Sequence, residues 1–203
     1  TCKTCGYVEQ AKIRKEYLGR AIVSADVAKT TTGKIIIKWE KADNATGYTI
    51  YETNKKHTKH TKIATVKADQ TTYTFENLQS GKYYRYAVEA FNIDKNGNKA
   101  VSEKSYVSEM TYPTQPPTNV KAVSTEPGVI EVTWDSNGPD VYYDTYCGIS
   151  EEHVRKCSYG SILSRSYYSS TNKETIKKLK SGVTYYIMVT CFGENGVTLT
   201  SEV

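Results

Sequence analysis

With 203 residues, 38% of them hydrophobic, and a formal net charge of +5, the chain is long enough for two domains of about 90–100 residues, each burying a core. The charge divides unevenly: residues 20–112 carry fifteen Lys/Arg against ten Asp/Glu, and residues 113–203 carry eight against ten. Neither half shows the concentrated basic stripe of a nucleic-acid binder, and no apolar run reaches the roughly 18–20 residues that cross a bilayer. Neither nucleic acid nor membrane insertion is expected.

Residues 1–19 open on Cys2-x-x-Cys5-Gly6, half a zinc site or a small disulfide knuckle. With no initiator Met and no leader ahead of it, this segment reads as the remnant of a preceding domain. Cys2 and Cys5 hold a metal only with partners outside the fragment, since His57 and His60 sit among four lysines that repel a cation. Residues 34–40 form a short apolar run behind Gly33 and read as a buried strand. Alternation marks further strands at residues 47–51, 62–66 and 72–75. Tyr84, Tyr86, Val88 and Ala90 lie two apart, so one face of a long strand points inward. Asn96-Gly97 supplies a hairpin turn, and another strand follows over residues 101–110. These six runs, without a helical period, indicate a β-sandwich of about seven strands.

The segment Pro113–Pro117 (Pro-Thr-Gln-Pro-Pro) is the expected boundary, because proline stiffens an extended link and cannot join a ladder. A second copy then begins. Leu78, Gly81, Tyr84 and Val88 recur 101 residues later as Leu179, Gly182, Tyr185 and Val189, and Gly33 and Trp39 recur 95 later as Gly128 and Trp134. A period this long means two copies of a whole domain, since stacked solenoid units repeat every 20–50 residues or so. Strands are expected at residues 119–124, 129–134, 142–147 and 184–192, with an irregular middle between 147 and 176, a hairpin at Asn195-Gly196 and a last strand cut short.

The pattern Leu-x-x-Gly-x-x-Tyr-x-hydrophobic-x-Val, following a Trp that closes an earlier strand, resembles the fibronectin type III signature in both halves. The resemblance implies two immunoglobulin-like β-sandwiches in tandem, over residues 20–112 and 113–203. Leu78 and Leu179 would plug the end of each sandwich, Gly81 and Gly182 permit a turn, Tyr84 and Tyr185 form a hydroxyl-bonded corner, and Trp39 and Trp134 fill the core centres. The Lys/Thr/Tyr-rich composition is similar to that of secreted or wall-bound proteins of Gram-positive gut bacteria. It implies an extracellular or wall-associated location, neighbouring domains in a larger chain, and a monomer.

Three groups of residues are candidates for function. Cys147 and Cys157, ten apart, are a disulfide candidate that would contribute about 3 kcal/mol by loop closure. A Cys147–Cys191 bridge is disfavoured: Cys191 should lie opposite Tyr143, about 13 Å from Cys147 at strand rise, and serve as a small core residue. Lys55, Lys56 and Lys59 could grip a polyanion, or simply keep an edge strand soluble. Tyr159, Tyr167 and Tyr168, beside Tyr142, Tyr143 and Tyr146, could stack on sugar rings or anchor a protein, or simply fill strands. They lie in the region where the second copy is six residues longer than the first, and loops carry grafted function.

No nucleophile elbow, paired-carboxylate motif or phosphate loop is present. The sequence therefore predicts no enzymatic activity and no cofactor. It predicts a spacer and adhesion module that binds glycan or a host or cell-surface protein. The alternatives are a carbohydrate-binding accessory module of a polysaccharide-degrading enzyme and a two-domain receptor ectodomain. The receptor reading lacks the Trp-Ser-x-Trp-Ser motif that such ectodomains carry.

Overall fold

The computed structural model describes residues 18–26, 33–157, 162–193 and 196–203. Cys2, Cys5, Tyr159 and Asn195 lie outside the described residues. Strands β1 (Val23–Ala25), β2 (Ile35–Trp39), β3 (Gly47–Thr53), β4 (His60–Lys67), β5 (Thr72–Phe75), β6 (Lys82–Ile93) and β7 (Lys99–Thr111) form two sheets, ordered β1-β2-β5 and β4-β3-β6-β7. The second half repeats the plan. Strands β8 (Lys121–Glu126), β9 (Val129–Thr133), β10 (Tyr143–Gly148), β11 (Ile162–Ser169), β12 (Lys173–Ile176), β13 (Tyr186–Phe192) and β14 (Thr198–Thr200) form sheets ordered β12-β9-β8 and β11-β10-β13-β14. A short helix α1 (Glu151–Arg155) interrupts the middle that the sequence leaves irregular. Two compact units are distinguished, one built on Lys38–Tyr73 and Arg85–Val107, the other on Thr74–Tyr84 and Ser108–Val203.

The repeated residues perform repeated tasks. Trp39 meets Tyr48 edge-to-face at 5.3 Å and 65°, and Trp134 meets Tyr143 at 5.3 Å and 63°. Such pairs contribute about 0.5–1.5 kcal/mol beyond their burial. Each tyrosine also receives a backbone amide on its hydroxyl: Ala42 N donates to Tyr48 at 2.9 Å, and Asn137 N to Tyr143 at 2.7 Å. The tyrosine corners are present as expected, with Gln79 N donating to the Tyr84 hydroxyl and Lys180 N to that of Tyr185, both at 2.8 Å. Gly81 and Gly182 hold φ of +64° and +75°, which an L side chain rarely adopts. The Leu78 and Leu179 amides donate to the carbonyls of Gly33 and Gly128, both at 3.0 Å. A Cβ on Gly128 would come within 2.8 Å of the Leu179 carbonyl oxygen.

In the second core, Val132, Trp134, Tyr143, Cys147, Ile187, Val189 and Cys191 pack together, with Leu179 and Tyr185 against them. Cys191 pairs with Tyr143 across β13 and β10, the register expected from the repeat, and it is buried as a small core residue. The expected Cys147–Cys157 bridge is corrected by the structure: both thiols are free. The period of two explains why. Cys147 points into the core between the sheets, whereas Cys157 packs with Tyr146, Val154 and Met188 on the opposite face.

Candidate functional site

The outward face of the β11-β10-β13-β14 sheet carries the features that the repeat does not account for. Strand β10 sends Tyr143 and Cys147 into the core, leaving Asp144 and Tyr146 on the outward face. The upper part of that face is covered. Ser150 caps α1 by accepting from His153 N, and Val154 of α1 is fully buried with Tyr146 and Met188, flanked by Cys157, Ile162 and Tyr186.

The lower part stays open. Pairing of β10 with β11 slips between Tyr143↔Ser169 and Thr145↔Ser166, a bulge that places two residues of β11 against one of β10. Tyr168 sits in it at φ +55°, its amide donating to Asp144 Oδ1 at 3.0 Å. The bulge turns Tyr168 outward to 67% exposure; Tyr167 and Tyr142 are each 49% exposed and Phe192 46%. Among them lies Arg165. Its Nη2 donates to the Tyr146 hydroxyl at 2.6 Å and forms an ion pair with Asp144 Oδ2 at 3.6 Å. Its Cζ lies 3.7 Å from the Tyr167 ring centroid and 4.5 Å from that of Tyr146. A pocket of about 120 Å³ opens here, lined by Tyr142, Asp144, Tyr146, Arg165, Thr190 and Phe192. Burial first, and then the neighbouring Cys157, pushes the Tyr146 hydroxyl up to about 12. It therefore stays protonated at neutral pH. The groups assembled are a guanidinium, a carboxylate, hydroxyls and aromatic faces, which suit the holding of a polar, ring-shaped ligand.

Of the residues the sequence singles out, Tyr167 and Tyr168 fall on this face. Tyr142 and Tyr146, their neighbours in the sequence reading, lie here too, whereas Asp144, Arg165, Thr190 and Phe192 were missed as site residues, because their proximity depends on the bulge and on cross-strand register. Alternation along β10 and β13 was the signal available for three of them.

The Lys55–Lys62 loop belongs to the other unit. Asn54 Oδ1 closes it by accepting from Thr58 N at 2.8 Å and Lys59 N at 3.1 Å, with Lys55, Lys56 and Lys59 exposed. His57 and His60 stack around Tyr106 at 4.4 and 5.9 Å, and His60 Nε2 lies 3.2 Å from the Tyr106 hydroxyl. Beside them Tyr51 donates to Glu89 Oε2 at 2.8 Å and Lys104 to Glu89 Oε1 at 2.6 Å. Burial, together with the Glu89 carboxylate, pushes Tyr51 up to about 12. The polar groups of this face thus satisfy one another. Among the described residues, no group of three or more His, Cys, Asp or Glu could hold a metal ion.

Paired sheets, a tryptophan at each core and a tyrosine corner at each turn define immunoglobulin-like sandwiches. Residues 22–108 match the family model of the fibronectin type III domain; this segment is a fibronectin type III domain, and the second half repeats its fold. The chain is 36% identical over 90 residues to an amylopullulanase of Thermoanaerobacterium saccharolyticum, covering 44% of this chain and 7% of that protein. It is 33% identical over 87 residues to an amylopullulanase of Thermoanaerobacterium thermosulfurigenes, covering 43% of this chain and 4% of that protein. The chain therefore spans less than a tenth of the length of either amylopullulanase. A two-domain fibronectin type III segment of chicken tenascin covers 92% of this chain and 99% of its own length, at 15% identity and a TM-score of 0.46. Among the described residues, no helix is long and apolar enough to cross a membrane.

Proposed function

We propose that this chain is a non-catalytic accessory segment of a larger, secreted polysaccharide-degrading enzyme, made of two domains over residues 20–112 and 113–203 joined through Pro113–Pro117. The observation that carries the reading is the likeness to two amylopullulanases, in which the matching stretch is 7% or 4% of a long enzyme. A stretch that small within such a chain has the size of a module rather than of a whole activity. The repeated residues support the same reading, because each fills a core, caps a corner or permits a turn. The proline-stiffened link then acts as a spacer for neighbouring domains.

The reading is tested on the native protein. Mass spectrometry of the secreted polypeptide that contains these 203 residues should find a glycoside-hydrolase domain on the same chain, and the isolated segment should release no reducing sugar from starch or pullulan. A polypeptide made only of repeated sandwiches and a wall-sorting tail, or turnover by the segment alone, overturns it.

A further inference from the structure

We propose that the open half of the β11-β10-β13-β14 face is a binding site for a neutral glycan, with Tyr142, Tyr168 and Phe192 as stacking surfaces and the Arg165–Asp144 pair as the hydrogen-bonding centre. The proposal rests on the accessory reading above and adds the ligand class and the residues.

Comparison of the two halves carries it furthest. Phe91 and Phe192 occupy the same repeat position, yet Phe91 is 7% exposed beneath the Lys99 ammonium at 4.5 Å, whereas Phe192 is 46% exposed. Tyr51 and Tyr146 likewise correspond. In the first half Tyr51 is tied to Glu89, itself held by Lys104, and Glu89 and Phe91 are buried. In the second half Thr190 replaces Glu89 at the repeat position, and Tyr146 instead anchors Arg165. The scaffold can therefore cover this ground, and the second half leaves it open. Exposed aromatic rings crowded on one sheet face mark a site of interaction rather than a requirement of folding.

The chemistry of the ligand follows from charge and shape. Arg165 is fixed by the Tyr146 hydroxyl, by the Asp144 carboxylate and by rings on two sides, so its donors are preorganised. The Asp144 charge matches that of Arg165, and residues 113–203 carry eight Lys/Arg against ten Asp/Glu. A site so balanced favours neutral over acidic sugars. At about 120 Å³ the pocket is too small to enclose a drug-sized ligand. It suits an extended chain lying across the face with one sugar edge dipping toward Arg165.

Affinity electrophoresis of the 203-residue chain in gels containing amylopectin, pullulan or alginate tests this. Retardation by amylopectin or pullulan and free migration in alginate are expected. The double variant Tyr168→Ala/Phe192→Ala should bind at least tenfold more weakly with an unchanged melting temperature, and Lys55→Ala should bind as the parent does. Free migration of the parent in both neutral gels overturns the proposal, as does stronger binding to alginate or full binding by the double variant. Failure here leaves the accessory reading standing when a hydrolase domain is found on the native polypeptide. Retardation without such a domain sinks the accessory reading and leaves the site.

Discussion

Thr145 stands in the second core where Ile50 stands in the first: Ile50 pairs with Val88, and Thr145 with Val189, their counterparts across the ladder. Both are buried, but the Thr145 hydroxyl oxygen finds no hydrogen-bond partner. An unsatisfied buried hydroxyl costs about 1–3 kcal/mol, and removing it restores an apolar surface of similar shape. Thr145→Val should therefore raise stability by about 1 kcal/mol, read from the urea midpoint at unchanged slope; a fall would show that the hydroxyl has a partner. The two core thiols give a pH prediction. Burial pushes Cys147 and Cys191 from 9.0 up to about 11, so the folded state favours the neutral thiols. Their contribution is complete below about pH 9, where an unfolded thiol is protonated, and is lost as pH rises toward 11. Cys191→Ala, which installs the residue that Ala90 provides in the first half, should make the decline in melting temperature between about pH 9 and 11 shallower. At this scale the repeat made much legible: tryptophans, corner tyrosines and turn glycines each announce themselves twice. Tyr48 and Tyr143 also recur, but nothing in the string says that their hydroxyls cap the amides of Ala42 and Asn137.

Among the elements, strands that carry a repeated residue at a constant offset were readable, whereas β1, β11 and β12 were not, although the fold repeats them too. Helix α1 has no counterpart in the first half; β11 and β12 stand where β4 and β5 do, but the longer stretch around α1 shifts their place in the sequence and hides the match. Local chemistry did signal α1: Ser150 followed by Glu151 and Glu152 is an N-terminal cap with acidic residues in the first turn, and Arg155 lies in the last. A helix of five residues is too short to show a period of about 3.6, and it owes its place to Val154, buried against Tyr146 and Met188. Val154→Ala should cost about 2 kcal/mol and speed native-state alkylation of Cys157, which packs on the same cluster. Peptide-level labelling with iodoacetamide checks this. A loss of stability with no change at Cys157 would separate the helix from its neighbours. The disulfide expectation failed at this scale as well. Spacing along the chain suggested proximity, but the face on which each thiol stands is set by alternation in β10 and by the path of α1.

For the molecule as a whole, the repeat predicts that the two halves unfold as independent domains divided near Pro113. Each half has a single tryptophan, Trp39 and Trp134, and each is buried against its own tyrosine partner. Intrinsic fluorescence can therefore report each core separately once the other tryptophan is removed. Val189 is fully buried within the second core, and truncating it to alanine should cost about 2 kcal/mol, or roughly 10 °C in a domain of this size. Against the Trp39→Phe parent, Trp39→Phe/Val189→Ala should lower the transition reported by Trp134 by that amount. Against the Trp134→Phe parent, Trp134→Phe/Val189→Ala should leave the transition reported by Trp39 where it was. If both transitions fall together, the chain unfolds as one cooperative body, and the boundary inferred from the repeat describes the history of the sequence rather than its thermodynamics.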